Sequence, residues 1–73
     1  MDEQELEKFS IYNVNKDLFL SEPSDIVIFD INGRFVKRAM HVETCSMADL
    51  PNGLYIVKAR TDKGIVTRKI MNQ

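Results

Sequence analysis

His41 is the one histidine of the chain and Cys45 the one cysteine; with Glu43 between them they are the densest grouping of side chains suited to acid–base, nucleophilic or metal chemistry. On an extended strand, alternate residues share a face, so these three would stand in one row. A nucleophilic site would need the thiol, or one of Ser10, Ser21, Ser24 and Ser46, beside the imidazole, with a carboxylate orienting the ring. Nothing in the spacing singles out such a set. Closed zinc sites take about four ligands and favour cysteine-rich loops. The chain also lacks a glycine-rich phosphate loop and a paired-carboxylate motif. The expectation is a surface His41, a buried Cys45, no catalytic or metal-binding residues and no cofactor. A single thiol cannot form an internal disulfide, so stability must come from packing.

The second concentration is electrostatic. Lys58, Arg60, Lys63, Arg68 and Lys69 stand against Asp62 alone near the end of the chain, whereas Asp2, Glu3, Glu5 and Glu7 stand against Lys8 at its start. The five cations are candidate contacts for an anionic partner. A solvated sheet edge is the competing reading, since lysine on an exposed strand blunts unwanted pairing. Nucleic acid is not expected, because the net charge is −1 and Tyr55 is the only aromatic residue in the basic stretch.

The elements that would carry these residues are strands. From Phe9 onward the chain runs in short apolar or alternating stretches rich in Val, Ile, Phe and Tyr, with no helical period of useful length. Candidate strands are Phe9–Val14, Asp17–Ser21, Ile26–Ile31, Arg34–Met40, Val42–Met47, Leu54–Thr61 and Ile65–Met71. About seven short strands point to an all-β antiparallel sandwich with helix nearly absent. Asn32-Gly33 reads as a two-residue type I′ hairpin turn with both residues at positive φ. Asp62-Lys63-Gly64 and Pro51-Asn52-Gly53 read as further turns, and Glu22-Pro23-Ser24 as a break between strands. Asn15-Lys16 reads as a poorer copy of the Asn32-Gly33 turn, because Lys16 is strained where a glycine is not. Ile26 and Ile28 share one face, as do Tyr55, Val57 and Ala59, and these rows are the expected core. Val27, Phe29 and Ile31 make the other face of their strand apolar as well, so that strand is either covered on both sides or turned toward another molecule.

At 73 residues the chain has room for one small domain. The division expected is an acidic, flexible N-terminal segment or linker over residues 1–8 and a single β domain over residues 9–73. The start does not read as a secretory signal, which needs basic residues before an apolar run. An export signal would therefore lie outside the chain. No stretch approaches the ~20 apolar residues of a membrane span.

Three segments, Ile28-Phe29-Asp30-Ile31-Asn32-Gly33-Arg34-Phe35-Val36, Leu50-Pro51-Asn52-Gly53-Leu54-Tyr55-Ile56-Val57-Lys58 and Gly64-Ile65-Val66-Thr67-Arg68-Lys69-Ile70, occur in this order. Together they resemble the type A C-terminal sorting domain of the Bacteroidetes type IX secretion system, over about Phe9 to Met71. The resemblance implies an immunoglobulin-like β-sandwich that serves an upstream cargo as a non-catalytic secretion signal. It implies outer-membrane secretion machinery and a sortase-like peptidase as partners. The route it implies runs through the periplasm to the cell surface or medium. The matching positions are Asp30, Gly33 and Arg34, then Leu50, Gly53, Tyr55 and Val57, then Lys69. The competing class is an immunoglobulin-like or fibronectin-like accessory or adhesive module of a surface protein.

Overall fold

The structure is a computed structural model that describes residues 9–73. The acidic segment Met1–Lys8, expected to be a flexible lead-in, lies outside the described residues. The described residues form five strands in order: β1 (Ile11–Val14), β2 (Asp17–Asp30), β3 (Phe35–Ser46), β4 (Gly53–Thr61) and β5 (Gly64–Asn72). Every pairing is antiparallel. β2 is the spine: β3 runs along one of its edges, while β1 and then β4 take successive parts of the other, and β5 lies beyond β4.

Five strands in one hydrogen-bonded sheet thus stand where about seven in a two-sheet sandwich were expected. Glu22-Pro23-Ser24 bends the chain without ending the strand, so Asp17–Ser21 and Ile26–Ile31 join as β2. The β2–β3 register shifts between Phe19 and Ser24 and again before Ile26, which is where a proline is tolerated within a ladder. On the facing strand, His41 takes φ +51° and its N–H donates to Asp25 Oδ1 at 2.8 Å. Arg34–Met40 and Val42–Met47 are thereby joined as β3. The paired irregularities curl the sheet until β1 meets β5, where Asn13 Nδ2 donates to the Met71 carbonyl at 3.1 Å.

The concave side of this curl is the core. Ile26, Ile28, Tyr55 and Val57 are all buried in it, together with Leu18, Met47, Ala59 and Ile70. The alternation of Tyr55, Val57 and Ala59 with exposed or half-buried neighbours holds along β4 as read from the sequence. Val27, Phe29 and Ile56 point the opposite way and are only half-buried, and among the described residues no element covers the convex side of the sheet.

The turns are distributed differently from the expectation. The two-residue turn with both φ values positive is Asn15-Lys16, at +52° and +66°, between the paired residues Val14 and Asp17. The Asp30–Arg34 turn instead has a three-residue loop: Gly33 N–H donates to the Asp30 carbonyl and Asp30 N–H to the Arg34 carbonyl, both at 3.0 Å. In it only Gly33 is left-handed, at φ +83°. The reason lies in Asp30, whose Oδ1 accepts from the N–H groups of Asn32 and Arg34 at 2.9 Å each and so favours an Asx-type turn over the mirror-image one. Gly53 also takes positive φ, at +151°.

Candidate functional site

The residues singled out by the three segments separate into those that build the domain and those that face solvent. Asp30 and Gly33 close the β2–β3 turn. Val57 is fully buried, and Leu50 packs against the core. The buried Tyr55 ring sends its hydroxyl to donate to the Pro51 carbonyl at 2.7 Å, pinning the loop that precedes β4. Arg34 and Lys69 are exposed.

The loop before β4 has a second fastening that the sequence reading missed. Asn72 is completely buried, and its Nδ2 lies 3.0 Å from the Met47 carbonyl, 3.2 Å from that of Leu50 and 3.3 Å from that of Pro51. Its Oδ1 accepts from Asn13 Nδ2 at 3.3 Å. One carboxamide therefore ties β5, β1 and the β3–β4 loop together. The available signal was parity: Asn72 continues the inward-facing series of Val66, Arg68 and Ile70, and next to the buried Ile70 an amide needs partners. Lys16 Nζ also reaches Asn52 Oδ1, joining the first turn to the same loop.

The five basic residues do not form one patch. Lys63 sits in the β4–β5 turn, 3.3 Å from Glu22 Oε2. Arg60 Nη2 lies 2.9 Å from Asp25 Oδ2. Arg68 pairs opposite Val57, on the inward side of β5, and its Nη1 donates to the Thr67 carbonyl at 3.0 Å. Lys58 and Lys69 lie on the convex side with Arg60, and among the described residues neither has a carboxylate within ion-pair distance. Lys58 Nζ stands 6.0 Å from the centre of the Phe29 ring. The convex surface also carries Arg38, opposite Val27. Its apolar side chains include Phe35, opposite Phe29, and Leu54, opposite Met71.

The grouping of His41, Glu43 and Cys45 is dispersed. His41 and Glu43 are exposed and Cys45 is buried, so the row expected of a regular strand is broken where His41 turns left-handed. Burial pushes the Cys45 thiol up from its ordinary value, which keeps it protonated and poorly nucleophilic. Among the described residues no group of three or more His, Cys, Asp or Glu could hold a metal ion. The Asp25 carboxyl lies below the ordinary carboxylate range, chiefly through the Arg60 hydrogen bond and then the His41 N–H. Asp49 is lowered in the same way by Lys37, whose Nζ is 3.0 Å away. No helix among the described residues is long and apolar enough to cross a membrane.

The arrangement is a small braced β domain whose distinctive surface is an open sheet face, which suits a module recognised by other molecules. Comparison with protein families agrees: residues 4–73 match the secretion system C-terminal sorting domain, and the chain belongs to this family, that of the type IX sorting domains. No curated protein matches the chain.

Proposed function

We propose that the domain directs an upstream cargo through the type IX outer-membrane translocon to the cell surface, without catalysis of its own. The observation that carries this reading is the family match over residues 4–73. The fold supports it, because most of the matching residues are spent on shape: Asp30, Gly33, Leu50, Gly53, Tyr55 and Val57 fix two connections and the core, while Arg34 and Lys69 remain at the surface. Those two, with the convex-face cations Lys58 and Arg60, are the residues proposed to meet the machinery. Lys63 and Arg68 point elsewhere and are assigned to the solvated rim. Passage through the periplasm, removal by a sortase-like peptidase and delivery to the surface or medium belong to the same reading.

The test is a fusion of the whole chain to the C-terminus of a periplasmically exported reporter, in a bacterium with a working type IX system. The reporter is expected at the cell surface or in the medium, and to stay in the periplasm in a strain whose translocon is inactive. Periplasmic retention of the intact fusion in the competent strain would sink the reading.

A further inference from the structure

We infer that the convex face of β2–β5 is a docking surface for an extended, acidic segment of a partner protein, in which acidic and apolar side chains follow one another along the face turned to the sheet. This deepens the proposed sorting role and takes its biological setting from it. The two sides of the sheet differ sharply. Phe35, Met40 and Ile65 expose 61%, 60% and 62% of their surface on the convex side, an unusual concentration of apolar area for a small soluble domain. A shallow groove of about 300 Å³ runs there over Val27, with Met40 and Ile65 at its walls and Arg38, Lys58 and Arg60 around it. Among the described residues the one carboxylate lining the groove is Asp25, which is already held by Arg60 and the His41 N–H.

Charge complementarity selects the occupant. A second copy would bring like charges together on this face and be repelled. Lys58 and Lys69 stand amid the apolar groups: Lys58 opposite Val27 and over Phe29, Lys69 opposite Ile56. A matching anion must therefore reach into the middle of the contact. Side chains on one face of an extended segment recur every ~7 Å, the same spacing as these rows, so a segment whose every second residue is in turn acidic and apolar presents both kinds of group on the one face it turns to the sheet. A lipid surface is better served by an apolar centre with cations around its margin.

The probe is a fluorescein-labelled peptide repeating Glu-Ser-Val-Ser, in which Glu and Val share one face, with a Lys-Ser-Val-Ser peptide as its counterpart, titrated against the whole chain by anisotropy. The Glu peptide is expected to bind about tenfold more tightly than the Lys peptide, with an advantage that shrinks as salt is added. Lys58→Gln with Lys69→Gln should weaken it about fivefold, and Lys58→Glu with Lys69→Glu should transfer the preference to the Lys peptide. Thermal melts establish that both variants fold, and amide shifts on addition of peptide should map to the strands around Val27, Ile56 and Lys58. Equal binding of both peptides would overturn the proposal. So would shifts confined to the outer edge of β5, or binding of phosphatidylglycerol vesicles with no binding of the Glu peptide. The reporter fusion keeps the two readings apart: an unsorted wild-type fusion with intact peptide binding removes the sorting role alone, whereas a sorted fusion without peptide binding removes this surface.

Discussion

At the scale of single residues, the domain depends on polar side chains placed where the chain would otherwise leave carbonyls unanswered. Asn72 does this for the β3–β4 loop, since its carboxamide meets three carbonyls in a site with no solvent access. Asn72→Ala removes those bonds and leaves buried acceptors, a loss of about 1–3 kcal/mol. Tyr55→Phe deletes one bond, and the Pro51 carbonyl keeps its contact with Asn72 Nδ2, so about 1 kcal/mol or less is expected. Urea denaturation of the two variants checks the order, which reverses if the amide is only a spectator. Asn72 was missed in the sequence because its value lies in carbonyls some twenty residues away, whereas the Tyr55, Val57 and Ala59 row was legible from alternation alone.

At the scale of elements, turns and bulges decide where each strand bends or ends. The β2–β3 turn needs a left-handed residue only at Gly33, where an added Cβ would meet nothing within 4 Å. The penalty for Gly33→Ala is therefore backbone strain alone, about 1 kcal/mol. The β1–β2 turn has the opposite problem, with Lys16 at φ +66° where glycine is the preferred residue. Lys16→Gly should raise stability by up to about 1 kcal/mol even after losing the exposed contact with Asn52. Paired thermal melts should thus move in opposite directions; a shared direction would mean that side-chain contacts outweigh backbone conformation at one of the turns. Asn-Gly was read as the two-residue hairpin because that dipeptide tolerates it best, but the carboxylate of Asp30 captures the turn for a longer loop.

At the scale of the whole molecule, carboxylates that must remain charged tie β3 to β2 and to the β3–β4 loop. Asp25 links the β2 bend to β4 through Arg60 and to the β3 bulge through His41 N–H, and Asp49 holds Lys37. Both carboxyls are lowered in the folded state from an ordinary value of 3.8. Their contribution is therefore fully present above that value and is lost as the pH falls through the lower, folded-state values. Melting temperature should be nearly level between neutral pH and about pH 5 and drop below about pH 4, with a shallower drop in Asp25→Asn. An equal acid response in that variant would show that the Arg60 and His41 contacts carry no linked stability. The exposed position of these groups keeps each effect modest and sensitive to salt.

What the sequence determined by itself was local or periodic. Alternation identified β4 and its buried row, apolar residues on both faces of Ile26–Ile31 announced a strand with a second surface to account for, and the order of the three motifs pointed to the sorting-domain family. Only the tertiary structure decided that Pro23 bends a strand without breaking it, because that depends on His41 of the facing strand donating its N–H to Asp25 beside the bend. It also decided which cations belong together. Neighbours in sequence such as Arg68 and Lys69 point to opposite sides of a sheet, while Arg38 and Lys58, twenty positions apart, reach one groove through a shared partner, Val27. Strand parity can be read from one segment, but a surface is made by the register between segments, and register is fixed by bulges, turns and core packing acting across the whole chain.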